Sequence, residues 1–118
     1  MWSDIGLGFD TVYFGGGTPS SLDADQLRHI IAAVRRHLQV DRDGLVFLEA
    51  NPEDVHPESA SAWRELGVDF VSLGVQSLHD EDLEFLGRRH SAAQARRAVE
   101  ILRESDFRTV SIDLMYGI

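Results

Sequence analysis

Apolar positions along the chain switch repeatedly between short unbroken runs and a helical period. Thr11-Val12-Tyr13-Phe14 is a β-branched and aromatic run that empties into Gly15-Gly16-Gly17 and then Thr18-Pro19-Ser20. This predicts a strand followed by a loop. Leu27, Ile30, Ile31, Val34 and Leu38 recur at helical spacing, with Arg28, Arg35 and Arg36 on other faces. Asp23 stands before them as an N-cap with Gln26 three residues on, the pattern of a capping box. Asp41-Arg42-Asp43-Gly44 predicts a break. Leu45-Val46-Phe47-Leu48 then predicts a strand whose continuous apolar run suits cover on both faces.

Pro57 can occupy the first turn of the next helix, where its missing N–H costs nothing. Trp63 and Leu66 supply that helix's apolar side, and Gly67 is placed as its stop. Phe70-Val71-Ser72-Leu73 predicts a third strand running into Gly74-Val75-Gln76-Ser77. A short helix over 81–86 closes at Gly87, before Arg88-Arg89-His90. Ser91 and Gln94 repeat the capping pattern for a longer helix that turns Ala95, Ala98, Val99 and Leu102 inward. Thr109-Val110-Ser111-Ile112 predicts a fourth strand, ending in Asp113-Leu114-Met115-Tyr116-Gly117-Ile118.

Alternating strands and helices imply an α/β fold of parallel strands joined by right-handed crossovers. Two arrangements fit: an open doubly wound sheet, or an arc of a (β/α) barrel. A complete eight-unit barrel takes roughly 250 residues. At 118 residues, with about four β/α units, a barrel would be present only as an arc.

Composition narrows the partners. A 43% hydrophobic content at this length supports one modest core. The net charge of −9 provides no basic field for nucleic acid or for an anionic membrane surface. There is no cysteine, hence no disulfide, thiolate metal site or iron–sulfur ligand within these residues. No apolar run reaches the length of a membrane span, and Met-Trp-Ser-Asp-Ile-Gly lacks the regions of a signal peptide. The expected location is the cytoplasm.

In either arrangement, ligands bind beyond the carboxyl ends of the parallel strands. The first strand delivers Gly15 to Thr18 there, the second Glu49 and Asn51, the third Gln76 and Ser77, the fourth Asp113. Singly, each has a structural explanation: Glu49 could cap a helix, Gln76 satisfy a loop carbonyl, Asp113 hold a turn. Four polar strand ends on one rim favour a small-molecule site. Glycine amides and Thr18 can meet an amino-acid or phosphate head group. Glu49, Gln76 and Asp113 can accept hydrogen bonds from ribose hydroxyls or an ammonium. The loop is neither a Gly-x-x-x-x-Gly-Lys phosphate loop nor a Gly-x-Gly-x-x-Gly dinucleotide turn.

Five segments occur in a recognisable order: Gly-Gly-Gly-Thr-Pro-Ser at 15–20, Leu-Glu-Ala-Asn-Pro at 48–52, Ser-Leu-Gly-Val-Gln-Ser at 72–77, Leu-Gly-Arg-Arg-His-Ser at 86–91 and Ile-Asp-Leu-Met-Tyr-Gly at 112–117. Together they resemble the radical S-adenosylmethionine (SAM) proteins related to oxygen-independent coproporphyrinogen III oxidase. The resemblance runs from about Thr11 to Ile118. Its wording leans toward the heme-chaperone branch: Asn51 precedes Pro52 and Ser77 follows Gln76, where the oxidases are expected to have Asp at both.

The resemblance implies a partial six-unit (β/α) barrel of the TIM type, with a [4Fe–4S] cluster and SAM lying across the strand ends. It implies that Gly16, Gly17 and Thr18 take the methionyl end of SAM, and that Glu49, Gln76, Arg88 and Asp113 line the rest of the pocket. Arg88 suits a carboxylate partner, because a guanidinium can bind one bidentately. Read without the resemblance, Arg88-Arg89 is a solvated helix end. No catalytic residue and no metal ligand of this chain is implied.

The family's cluster is held by a Cys-x-x-x-Cys-x-x-Cys loop after the first barrel strand, and this chain has no cysteine. The expectation is therefore that residues 1–118 form a single segment, an incomplete radical SAM core spanning strands two to five of six. The cluster loop, the last strand and the C-terminal domain would lie outside it. Three functions remain open: the SAM-binding core of a heme chaperone, the core of a coproporphyrinogen oxidase, or a stand-alone α/β protein without cluster chemistry. For the family, heme or porphyrin and an electron donor are implied partners. Of the five histidines, His29 and His37 fall on a predicted helix surface, and His56 and His79 are poorly placed as heme ligands. His90 is the least remote candidate.

Overall fold

All four predicted strands form one parallel sheet in the computed structural model, which describes residues 6–118. The elements are β1 (Gly8–Phe14), α1 (Ala24–His37), β2 (Gln39–Ala50), α2 (Pro57–Glu65), β3 (Phe70–Gln76), α3 (Asp80–Phe85), α4 (Ala92–Glu104) and β4 (Thr109–Leu114). Single 3₁₀ turns at Pro19–Ser21 and Pro52–Asp54 follow the first two strands. Both capping boxes are closed. Asp23 and Gln26 exchange hydrogen bonds of 2.9 and 2.8 Å, and Ser91 and Gln94 exchange bonds of 2.9 and 3.1 Å.

Strand order is β1-β2-β3-β4, the order of the sequence. That removes the doubly wound alternative, which requires the order to reverse at a switch point. Sequential parallel strands with right-handed crossovers place every connecting helix on the same side. The sheet is therefore an arc of a barrel, with helices outside.

The core follows from this. Val46, Leu48 and Ala50 of β2 and Val71, Leu73 and Val75 of β3 alternate onto the helical side. There they meet Leu27 of α1, Trp63 of α2, and Ala95, Ala98 and Leu102 of α4. Tyr13, Phe47 and Phe70 point to the other side. Their rings stack across three strands, with centroids 5.8 and 4.3 Å apart. The Leu45–Leu48 run is thus fully covered on one face only, a correction to the expectation of two.

Two further expectations change. Asp41–Gly44 does not break the chain but lies within β2. Phe9 pairs with Val40 and Thr11 with Leu45, so a single residue of β1, Asp10, faces the whole Asp41–Gly44 stretch. The turn-forming residues are absorbed as a bulge, which lets pairing resume in register for the core residues. Ile30, expected to face inward, is 39% exposed, and Leu27 and Ile31 are the residues of α1 that are buried.

Urea unfolding checks this one-sided core. Trp63→Ala is expected to cost about 3–5 kcal/mol, as a large side chain removed from a packed interior does. Ile30→Ala is expected to cost about 0.5 kcal/mol or less, as surface changes do. Equal losses for the two would contradict the assignment.

Candidate functional site

β1 ends at Phe14 and hands its chain to three glycines with different tasks. A Cβ on Gly15 would come within 2.8 Å of the Tyr13 ring and 3.0 Å of Glu49 Oε1, so a side chain here would displace the Tyr13–Glu49 contact. Gly16 adopts φ +86°, a conformation costly for any side chain. Its N–H donates to Glu49 Oε2 at 3.2 Å. A Cβ on Gly17 would meet nothing within 4 Å; this glycine borders open space.

The loop then turns back on itself. Thr18 O accepts from Ser21 N at 3.0 Å and from Ser21 Oγ at 2.6 Å. Ser20, nearly buried, donates to Asp54 Oδ2 at 2.7 Å and accepts from Asn51 N at 3.1 Å. The first 3₁₀ turn is thereby latched to the second, tying the end of β1 to the end of β2.

Glu49 is held from two sides, since Tyr13 OH donates to its other oxygen at 2.8 Å. Tyr13, Glu49, Ser72 and Asp113 share the open side of the sheet by strand alternation. Ser72 Oγ donates to Asp113 Oδ2 at 3.1 Å. β3 carries a register shift between Leu73 and Gln76, and Gln76 itself sits at φ +68°. A non-glycine residue in that region is strained, and such strain concentrates at functional sites.

Arg88 enters from the loop after α3. Its Nη2 donates to Asn51 Oδ1 at 3.1 Å and to Gly74 O at 3.2 Å. Among the described residues, its buried Nε has no hydrogen-bond partner. A buried donor without an acceptor is costly. Arg88 is therefore no solvated helix end.

Gly16, Gly17, Thr18, Glu49, Gln76, Arg88 and Asp113 all border one cleft of about 160 Å³ at the carboxyl rim. Asn51, Ser72 and Gly74 are also part of its wall. The structure adds Tyr13, Ser72 and Gly74 to the residues singled out in sequence. Their signals were present: Tyr13 and Ser72 have the strand parity of Glu49, and a glycine within a strand marks close approach. A Cβ on Gly74 would lie 3.4 Å from Gln76 Nε2 and 3.6 Å from Arg88 Nη2.

Two rim residues have other roles. Ser77 turns away, donating to Asp82 Oδ2 at 2.7 Å and accepting from His79 N at 3.1 Å, which organises the start of α3. His90 is not available to a heme iron. Its side chain is wholly buried, with Nε2 2.9 Å from Val75 O and Nδ1 3.3 Å from Glu53 Oε2. His29 and His37 are exposed on α1, as expected.

Chemically, the cleft offers a glycine loop and a guanidinium toward an anionic group, and two carboxylates toward hydroxyls or an ammonium. Among the described residues no group of three or more His, Asp or Glu could hold a metal ion. With no cysteine in the chain, these residues do not fit an iron–sulfur cluster.

The hydrogen bond to Glu49 is the largest influence on the Tyr13 phenol, ahead of lost hydration and the charges of Glu49 and Asp113. All of these raise its pKa above the ordinary 10.0. Ionisation would set a phenolate beside a carboxylate, so removing that charge lowers the pKa. In a Tyr116→Phe background, absorbance at the tyrosinate band should titrate above free tyrosine, and Glu49→Gln should shift the curve down. An unchanged curve would break the Tyr13–Glu49 assignment.

Comparison with known proteins agrees with this geometry. The family model described as the radical SAM superfamily matches residues 3–118. The chain is 38% identical over 109 residues to the heme chaperone HemW of Bacillus subtilis, covering 92% of this chain and 29% of that protein. With HemW of Haemophilus influenzae it shares 32% identity over 108 residues, 92% of this chain and 28% of the relative. The mouse mitochondrial radical S-adenosyl methionine domain-containing protein 1 is 38% identical over 109 residues, 92% and 25% of the two chains. The chain thus spans under a third of the length of these relatives.

Among solved structures, the radical SAM enzyme coproporphyrinogen III oxidase (HemN) from Escherichia coli superposes with a TM-score of 0.86 at 26% identity, over 96% of this chain and 26% of that one. The archaeal Elp3 of Methanocaldococcus infernus, at TM-score 0.76 and 21% identity over 98% of this chain and 31% of that one, shares the fold. A sequential parallel arc with a polar cleft on its carboxyl rim, matched by that family over nearly its whole length, identifies the chain as a member of the radical SAM superfamily.

Proposed function

We propose that this chain is the SAM-binding part of a heme-chaperone-like radical SAM protein. The observation that carries the reading is the convergence of the glycine loop, Glu49, Gln76, Arg88 and Asp113 on one cleft. Gly16, Gly17 and Thr18 receive the methionyl end. Gly17 leaves its side-chain volume empty there, and Arg88, held by Asn51 and Gly74, borders the same cleft with its guanidinium. Glu49 and Asp113, each already oriented by a hydroxyl donor, keep lone pairs for ribose hydroxyls or the ammonium. Gln76 lines the remaining wall.

Radical SAM membership implies SAM together with a [4Fe–4S] cluster. Cluster ligands are absent from these residues, so no cluster step is assigned to this chain. Its own task is to bind and orient the sulfonium ligand, which binding energy can hold in a reactive geometry. Among the described residues, no helix is long and apolar enough to cross a membrane.

The chaperone reading rests on the identity to proteins named heme chaperone HemW. The alternative, a coproporphyrinogen oxidase core, is favoured by the superposition on HemN. In a cluster-bearing form of the protein, transfer of heme to an acceptor supports the first, and decarboxylation of coproporphyrinogen propionates to vinyls supports the second.

Calorimetric titration with SAM or its demethylated analogue S-adenosylhomocysteine tests the site. Wild type should bind, and Gly17→Val or Asp113→Ala should weaken binding at least about tenfold, a loss near 1.4 kcal/mol. Identical heats for wild type and both variants would sink the assignment.

A further inference from the structure

Buried His90 and half-buried Glu53 form a pair that the cleft chemistry does not use. The His90 side chain is 0% exposed and that of Glu53 24%. His90 Nε2 lies 2.9 Å from Val75 O, and a carbonyl oxygen only accepts, so Nε2 carries a proton. Nδ1 of a neutral ring would then present a lone pair to Glu53 Oε2, 3.3 Å away. Neither atom has another partner among the described residues, and both are buried. Two acceptors facing each other out of water repel and remain desolvated. One proton between them removes both costs.

The pair also joins three of the segments that carry cleft residues. Val75 immediately precedes Gln76, whose φ of +68° needs an anchored neighbour. Glu53 lies two residues after Asn51, which accepts from Arg88. His90 lies two residues after Arg88 itself. We propose that His90 and Glu53 hold one shared proton and act as positioning residues, fixing Arg88 and Gln76 against the ligand. The inference deepens the proposed SAM site and rests on that reading for its ligand.

Nitrogen-15 NMR of the imidazole rings tests the proton directly in the 118-residue chain. The His90 signals should show Nε2 protonated and Nδ1 protonated or strongly hydrogen-bonded. A bare, unprotonated Nδ1 overturns the proposal. Glu53→Leu removes the partner, whereas Glu53→Gln can donate its carboxamide N–H to Nδ1. Without any ligand, the Arg88 Nε–H and Gln76 carboxamide resonances should move in Glu53→Leu and return in Glu53→Gln. Resonances that stay in place in Glu53→Leu refute positioning.

With S-adenosylhomocysteine, Glu53→Leu should bind about tenfold more weakly and Glu53→Gln close to wild type, the scale of coupling within one hydrogen-bond network. Wild-type affinity in a folded Glu53→Leu refutes it too. Absence of binding by wild type itself would remove the SAM reading, while the ligand-free resonances still decide the role of the pair.

Discussion

Everything in this molecule depends on four parallel strands following one another in sequence order. Each right-handed crossover must then return on the same side. One face of the sheet is packed under α1, α2 and α4, and the other carries the stacked Tyr13, Phe47 and Phe70 rings without helical cover. The same constraint sends all four carboxyl ends to one rim. Chemistry gathers there because topology delivers it, before any particular side chain is considered.

Within the rim, short hydrogen-bond links replace a deep core. Ser20 ties the loop after β1 to the turn after β2, and Glu49 ties Tyr13 to the Gly16 amide. Asn51 and Gly74 hold Arg88, and Ser72 holds Asp113. Each cleft-facing charge is oriented by a neighbour on an adjacent strand or loop. Such preorganisation lowers the ordering cost of binding. The His90–Glu53 pair lies one layer beneath, where Val75 O, the second 3₁₀ turn and the Arg88 loop meet.

Strand positions were legible because β-branched and aromatic runs were bounded by glycine, proline and acidic punctuation, and both capping boxes read directly from Asp23/Gln26 and Ser91/Gln94. The seven cleft residues were legible from strand ends and from family wording. Asp41–Gly44 misled, because a four-residue bulge and a turn share the same local chemistry. Ile30 misled because helical spacing marks a stripe but not its width. Ser77 and His90 misled because proximity in sequence to the rim says nothing about which way a side chain turns.

By itself, then, the sequence determined the local elements, the parallel α/β class and the residues arriving at the carboxyl ends, since these follow from period, punctuation and spacing. Only the tertiary structure decided between a doubly wound sheet and a barrel arc, because strand order is a nonlocal property of pairing. It also decided that half-buried Arg88 has a buried Nε with no acceptor among the described residues, and that His90 serves Val75 and Glu53 instead of a heme. Burial and partner identity depend on segments brought together from distant positions, and no local pattern encodes them.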